Sequence, residues 1–418
     1  MSVKIPRGTF DILPEDSYKW TFLKKSFEQI SRNFNYREIT TPIFENAGLF
    51  ERSVGDSSDI IEKEMYKFQD KKGRIFALRP EGTAPIVRSY VENNLNMAAN
   101  SSKLYYIGPM FRYDRPQKGR YRQFYQYGIE NIGSDDPYID AEVILLGKMF
   151  LEKLGLNNFE LQINSIGCAN CSKDYDRALQ EYFLPHKQEL CSDCRKRLEI
   201  NPKRLLDCKV LSCKEIAKNA PSNLDFLDSD CRDHFDGVQK YLKMMDVSFV
   251  INPKIVRGLD YYTKTAFEFI ENSLGAQNTL IGGGRYDGLV QQLGGKNISG
   301  IGFAGGFERL LLTMENEKLS FGEQNNPKIF MVARGEEAKI SGINLLSKFR
   351  RENITSETAF EKSSMKAQMK AANRCNARFC LIIGEEEMRN KTVVFKNMES
   401  GNQEIVSVEA IFERVSKI

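Results

Sequence analysis

Near the N-terminus, apolar residues recur at steps of three and four: Trp20, Leu23, Phe27, Ile30 and Phe34 form a stripe along one side of a helix predicted over 16–34. Pro14 and Asp16 suit its start. YREITTPIFE (36–45) reads instead as a strand, and its Pro42 needs an edge, a bulge or another chain beside it. RIFALRPEGTAPIVRSYVE (74–92) reads as a short strand, a turn at Pro80-Glu81-Gly82 and a helix from near Thr83. In LYYIGPMFRYDRPQKGRYRQFYQYGIENIG (104–133), two β-rich runs flank a charged segment at 114–120, the pattern of a hairpin with a long loop.

After the strand-like FELQINSIG (159–167), residues 168–235 turn helical in period and rich in Cys and Lys, as a small domain inserted between strands would. The β pattern returns over 248–271 and 280–289, and ISGIGFAGGFERLLLTM (298–314) reads as a strand entering a helix through Gly305-Gly306. A polar segment, 315–327, precedes a C-terminal series of alternating elements. Strand 328–333, helix 336–351, strand 354–360, helix 362–375 and strands 378–384 and 393–395 make an α/β domain of about 90 residues. The division expected is therefore 1–325, with an inserted helical subdomain near 168–235, and 327–418.

At 418 residues the chain is long enough for several cores. It has 41% hydrophobic and 28% charged residues, with neither a run of about 18 apolar residues nor an N-terminal signal pattern, so a cytoplasmic protein with no membrane partner is expected. The net charge of +4 is small, and its local distribution says more. Between Arg112 and Arg122 five basic residues face one acid, Asp114. The only histidines, His186 and His234, stand beside no evident nucleophile, which points to chemistry by charge and positioning.

Seven of the nine cysteines lie between Cys168 and Cys231, and a cytosolic setting argues against a disulfide framework. Cys168-x2-Cys171 and Cys191-x2-Cys194 have zinc-site spacing, but Cys208, Cys213 and Cys231 would be left over. A structural zinc stays open, and no metal is assigned.

No G-x-x-x-x-G-K-[ST] loop and no strand-linked G-x-G-x-x-G is present, so phosphates would have to be held by arginines. Arg112, Arg257 and Arg309 stand in or beside strands and glycine-rich turns. Taken in order, RPEGTAP, MFRYDRPQKGRYRQF, VRGLDYY, GGGRYDGL and GIGFAGGFERLL resemble the histidyl-tRNA synthetases. IPRGTFDILPED and TPIFE fit as well, extending the resemblance over essentially the whole chain.

The resemblance implies an α/β (α+β) architecture: the class II synthetase sheet, antiparallel with six to seven strands and flanking helices, a helical insertion, and a C-terminal α/β anticodon-binding domain. It implies a homodimer, with 16–45 as the dimer-forming motif. It also implies that histidine and ATP, accompanied by Mg2+, form histidyl-adenylate, and that tRNA(His) receives the histidyl group. Arg112 would hold the α-phosphate and the histidine carboxylate. Arg309 would bind the γ-phosphate and cover adenine, with Phe124 on its other face. Asp114 stands where many relatives have glutamate, and Arg257 would be a cation beside the α-phosphate.

In the same way, Glu81, Thr83 and Gln126 would take the α-amino group. Glu130 and Tyr262 would face the imidazole, with Tyr261 and Tyr286 walling the pocket. Gln117, Lys118, Arg120 and Arg122 would approach the acceptor end of the tRNA. Lys362, Lys366, Lys370, Arg374 and Arg378 recur every four residues in a segment, 327–418, that has 16 basic and 12 acidic residues; they are read as part of the footprint for the anticodon stem. Two rivals share parts of this pattern: a regulatory subunit of ATP phosphoribosyltransferase and a class II synthetase for another amino acid. The first generally lacks an anticodon domain, and VRGLDYY and Glu130 argue against the second.

Overall fold

The structure is a computed structural model that describes residues 3–54, 60–95, 101–206, 208, 210–255, 258–271, 279–324, 326–362 and 364–416. These fall into two compact units, Met1–Phe321 and Gly322–Ile418.

The first unit is built on an eight-stranded sheet. Its order is Arg37–Glu38, Ser102–Phe111, Gln123–Ile132, Gly300–Gly306, Thr279–Arg285, Thr263–Ile270, Glu160–Ser165 and Val250–Ile251. The six inner strands pair antiparallel, and the two-residue strands at the edges pair parallel. Two runs read as continuous strands are interrupted. Residues 36–45 divide into Arg37–Glu38 and Phe44–Asn46, the latter pairing in a separate three-stranded sheet with Ile75–Leu78. Residues 248–271 divide into Val250–Ile251 and Thr263–Ile270.

Because side chains alternate across a strand, Tyr127 and Ile129 enter the main core while Phe124, Gln126 and Glu130 share the opposite face. Helices Pro14–Asn33 and Pro137–Lys153 supply much of that core, with Phe27 against Tyr127 and Phe150 at ring distances of 4.9 and 5.0 Å. The stripe of Trp20, Leu23, Phe27 and Ile30 is thus buried in the unit's own core.

Helices Ala169–Phe183, Ser192–Ile200 and Leu211–Ala217 form the insertion around a small core of Tyr175, Leu179, Phe183, Leu190, Leu198 and Leu205. Helix Ser229–Met244 follows and packs Phe235, Val238 and Leu242 into the main core.

In the second unit the strand order is Ser356–Thr358, Ile329–Ala333, Phe379–Ile383, Thr392–Asn397 and Gln403–Ser407; the first three are parallel and the last two antiparallel. The last strand is exposed along almost its whole length, so no apolar alternation marks it in the sequence. Helix Met365–Arg374 carries Lys366, Lys370 and Arg374, all exposed. Lys362 precedes this helix and pairs with Glu361 at 3.3 Å, while Arg378 follows it and lies 5.3 Å from the Phe379 ring. The five-residue helical stripe therefore reduces to three residues. Among the described residues no helix is long and apolar enough to cross a membrane.

Candidate active site

Small residues open the face opposite the main core. Gly282 pairs with Ala304, and both border a cavity; Gly302, paired with Gly284, instead makes room for the protein's own Glu130, whose Oε2 a Cβ there would meet at 2.1 Å. Glycine weakens a strand, and a row of small residues marks a surface that a ligand approaches. The cavity above it measures about 590 Å3 and is bordered by Glu81, Thr83, Arg112, Asp114, Phe124, Gln126, Tyr261, Tyr262 and Arg309, all singled out from the sequence.

Glu81 is buried at the turn before helix Thr83–Glu92, where its two carboxylate oxygens accept the backbone N–H groups of Thr83 (2.6 Å) and Ala84 (2.9 Å). Burial raises its pKa against those bonds and the charge of Arg112. It therefore caps a helix and borders the cavity at once.

The Thr83 hydroxyl donates to Glu130 Oε1 at 2.7 Å and the Tyr286 hydroxyl to Oε2 at 2.5 Å. Glu130 is only 1% exposed, and burial pushes its pKa up to about 8 against the two hydroxyls. Neither Glu130 nor Tyr286 borders the cavity: both stand behind the wall that Thr83, Tyr261 and Tyr262 form, and both Glu130 carboxylate oxygens are already occupied. The Gln126 carbonyl oxygen accepts from Tyr106 at 3.0 Å. Among the described residues, the buried Tyr261 hydroxyl, near Thr83, meets no hydrogen-bond partner of normal geometry.

Three arginines converge on the cavity. Arg112 donates from Nε to the Pro80 carbonyl at 2.9 Å, and its guanidinium lies 5.3 Å from the Phe124 ring. Arg309, in the first turn of helix Phe307–Asn316, donates from Nη1 to the Thr279 carbonyl at 2.5 Å. Burial holds Arg112 and Arg309 below the usual guanidinium range, and the Arg120 charge pushes both the same way. Crowded, partly dehydrated guanidiniums form a strong attractor for a polyanion.

Arg120 itself borders the cavity, pairs with Asp114 and lies 3.5 Å from Glu64. Arg122 donates from Nε to the Asp114 carbonyl at 3.2 Å and lies over the Tyr113 ring at 4.0 Å. Gln117 and Lys118 at the tip of this loop are exposed. Two of the four loop residues read as tRNA contacts thus spend their polar groups on the protein here. Arg257 lies outside the described residues.

Other site residues carry weaker sequence signals. Glu308, beside Arg309, accepts the Tyr125 N–H at 2.7 Å, and burial pushes its pKa up to about 7. Glu268 borders the cavity and accepts from the Thr279 hydroxyl at 3.2 Å. Behind Tyr286, Arg285 is wholly buried with Asp140; its Nε donates to Asp140 at 3.1 and 3.2 Å and its Nη1 to the Ser134 carbonyl at 2.9 Å. His234 Nε2 lies 2.8 Å from Asp140 Oδ2. Burial works to raise the Asp140 pKa, but the charge of Arg285 and the bonds from His234 and Arg285 hold it below the usual carboxylate value.

The cysteines divide otherwise than the sequence spacing suggested. Cys191 and Cys194 converge with Cys208 and Cys213, whereas Cys168 and Cys171 converge with Asp228 and Cys231. The two Cys-x2-Cys pairs belong to different clusters, and the three cysteines that seemed surplus complete them.

A family model described as Histidyl-tRNA synthetase matches residues 8–310, and one described as Anticodon binding domain matches 329–418. The histidine–tRNA ligase of Clostridioides difficile is 48% identical over 418 residues, covering all of both chains. That of Caldanaerobacter subterraneus subsp. tengcongensis is 47% identical over 411 residues, 98% of this chain and 99% of the relative. The crystal structure of apo histidyl-tRNA synthetase from S. aureus superposes with a TM-score of 0.84 at 40% identity, covering 99% of this chain and 100% of its own.

Proposed function

Because this chain belongs to the histidyl-tRNA synthetase family along its whole length, we infer that the cavity of its first unit is where histidine is activated with ATP. As a histidine–tRNA ligase, the protein joins histidine to the 3′ end of tRNA(His) and releases AMP and pyrophosphate. The observation that carries the residue assignment is the convergence of Arg112, Arg120 and Arg309 with Glu81, Thr83 and Gln126 around one cavity. The arginines suit a triphosphate, and Glu81, Thr83 and Gln126 suit an ammonium.

A histidine carboxylate oxygen attacks the α-phosphorus in line, the bond to the bridging oxygen breaks, and pyrophosphate leaves. Arg112 holds the α-phosphate and the attacking carboxylate, Arg309 holds the γ-phosphate, and Phe124 stacks on adenine. Asp114 reaches the adenine edge only after parting from Arg120. Arg257 adds positive charge at the α-phosphate. A ribose hydroxyl of the tRNA then attacks the acyl carbon and expels AMP. Fixed positive charge where negative charge builds stabilises both steps without a covalent enzyme intermediate. ATP enters as its magnesium complex, with Glu268 the cavity carboxylate suited to the metal.

The Thr83 hydroxyl spends its proton on Glu130, which leaves its oxygen to accept from the α-ammonium of histidine, alongside Glu81 and Gln126. Tyr261 and Tyr262 wall the ring, and an imidazole N–H displaces the Tyr286 hydroxyl now held by Glu130, while Thr83 keeps its bond. Pyrophosphate exchange run with each proteinogenic amino acid tests this reading. Exchange with histidine alone is expected, and exchange with another amino acid instead would overturn it.

Glu130→Gln should abolish measurable histidine selection while leaving ATP affinity within about twofold. Its effect on the ligand-free protein runs the other way. The folded pKa, about 8, exceeds the ordinary 4.5. The stability contributed by neutral Glu130 is therefore complete below pH 4.5 and is lost as the pH rises through 8. A glutamine stays neutral, so the variant should gain on the parent by up to about 1.4 kcal/mol per pH unit between these limits. Thermal unfolding from pH 5 to 9, with and without histidine, checks both halves; parallel pH profiles or unchanged histidine affinity would reject the assignment.

For the tRNA, exposed Lys366, Lys370 and Arg374 on one helix and Lys118 at the hairpin tip support a phosphate-binding role. For the homodimer, support comes from exposed apolar residues on and beside the three-stranded sheet, where Phe44 is 51% and Ile75 54% exposed and Phe44 packs on Phe68 and Phe76 at 5.9 and 5.6 Å. A cytoplasmic setting follows from the substrates.

A further inference from the structure

Within each cysteine cluster the ligand atoms all lie within 4.8 Å of one another. Cys191 and Cys208 have their sulfurs 3.9 Å apart, and Cys168 and Cys171 theirs 3.7 Å apart. All nine cysteines are free, and these separations are far beyond the ~2.05 Å of a disulfide. They match the ~3.8 Å edge of a tetrahedron whose ligands stand ~2.3 Å from a central zinc ion. Asp228 Oδ2 lies 3.2 Å from Cys168 Sγ, while Oδ1 accepts the Cys231 N–H at 2.8 Å. One oxygen thus caps helix Ser229–Met244 and the other turns toward the thiols.

The backbone is arranged alike in both clusters. Cys168 and Cys191 each stand immediately before a helix, with Cys171 and Cys194 in its first turn. Backbone amides donate to sulfur, Cys191 N to Cys213 Sγ at 3.3 Å and Asp228 N to Cys171 Sγ at 3.2 Å.

We propose that the insertion holds two structural zinc ions, one on Cys191, Cys194, Cys208 and Cys213 and one on Cys168, Cys171, Cys231 and Asp228. Soft, convergent thiolate sets with four protein ligands select zinc and leave no open position for catalysis. The metal also answers a folding need. The insertion's own core is small and includes Cys194, Cys208 and Cys213 themselves. A metal can supply the stability that so few apolar side chains do not.

The first zinc bears on the site already described. Between Cys194 and Cys208 lies the turn Pro202–Leu205, from which Arg204 Nη2 donates to the Gly258 carbonyl at 2.8 Å. Asn201 Nδ2 reaches Asp260 Oδ1 at 3.4 Å. These contacts flank Leu259 and lead directly into Tyr261 and Tyr262, so the metal-held turn positions one wall of the cavity. This last step rests on the histidine-pocket reading above; the metal sites do not.

The test is elemental analysis of the full chain, purified without a metal-affinity tag or chelator. Two zinc ions per chain are expected, one for each cluster. Cys194→Ser and Cys171→Ser should each retain one. If either variant fails to fold, titrating the unaltered protein with a mercurial in the presence of a zinc indicator should still release two equivalents. Cobalt(II) replacement should then give the visible bands of tetrahedral thiolate coordination. A metal-free chain with native activity, disulfides in mass spectra, or iron with sulfide would overturn the proposal. Arg204→Ala should keep both zinc ions while raising the KM for histidine; an unchanged KM would remove the link to the cavity and leave the metal sites standing.

Discussion

Arg112→Ala should slow histidine-dependent pyrophosphate exchange by about 10²- to 10³-fold, the scale on which a fixed donor to developing charge contributes to a reaction. The structure gives this arginine a defined aim. Its backbone N–H bonds to the Arg122 carbonyl at 2.9 Å and its Nε to the Pro80 carbonyl at 2.9 Å, which among the described residues leaves the terminal nitrogens for a ligand. Burial lowers its pKa, so it is a cation already partly stripped of water, and an incoming phosphate gains more from it than from a solvated one. Arg112→Lys should lose nearly as much, because an ammonium on a flexible stem cannot address carboxylate and phosphate oxygens with a planar fork. Thermal unfolding should show both variants folded. A raised KM for ATP with kcat intact would mean that Arg112 only binds the ground state.

The sequence makes parts of this site legible and hides others for physical reasons. Arg112, Phe124 and Gln126 sit in or next to strands where side chains alternate, and Glu130 draws attention as an acid inside a β-rich run. What the sequence cannot display is which groups are already paired. Glu130 is bound by Thr83, 47 positions away, and by Tyr286, 156 positions away, and it stands behind the cavity wall. Arg120 reads as a contact to the acceptor end of the tRNA, but Asp114 and Glu64 draw it inward. The zinc ligands show the same effect. Adjacent Cys-x2-Cys pairs suggest one site, yet each pair finds its partners through the return of the chain, and Asp228 carries no cysteine signal at all. The broken strands at 36–45 and 248–271 have a simpler cause: β-branched and aromatic residues favour strand locally, while pairing partners decide where a strand ends.

Arg285→Met should destabilise the first unit by about 3–5 kcal/mol at neutral pH, the loss expected when one partner of a buried ion pair is removed. Asp140 has no access to solvent, and without Arg285 only His234 remains, among the described residues, within hydrogen-bond reach of its carboxylate. The pH dependence identifies the cause. In the parent, the Asp140 pKa is depressed below 3.8, so its contribution is present above that value and is lost as the pH falls through the lower folded pKa. In the variant, burial is no longer outweighed by the guanidinium and should raise the same pKa, so that protonation relieves an unpaired charge. The gap between parent and variant should therefore be widest near pH 7 and narrow toward pH 4. Adding Asp140→Leu to Arg285→Met should recover part of the loss, since it removes the stranded carboxylate. Because Arg285 directly precedes Tyr286, whose hydroxyl bonds Glu130, histidine affinity should fall more in Arg285→Met than ATP affinity does. Urea unfolding at several pH values, with binding measured on the same preparations, checks each step; a loss under about 1 kcal/mol at pH 7 would show that the cluster does not anchor this strand end.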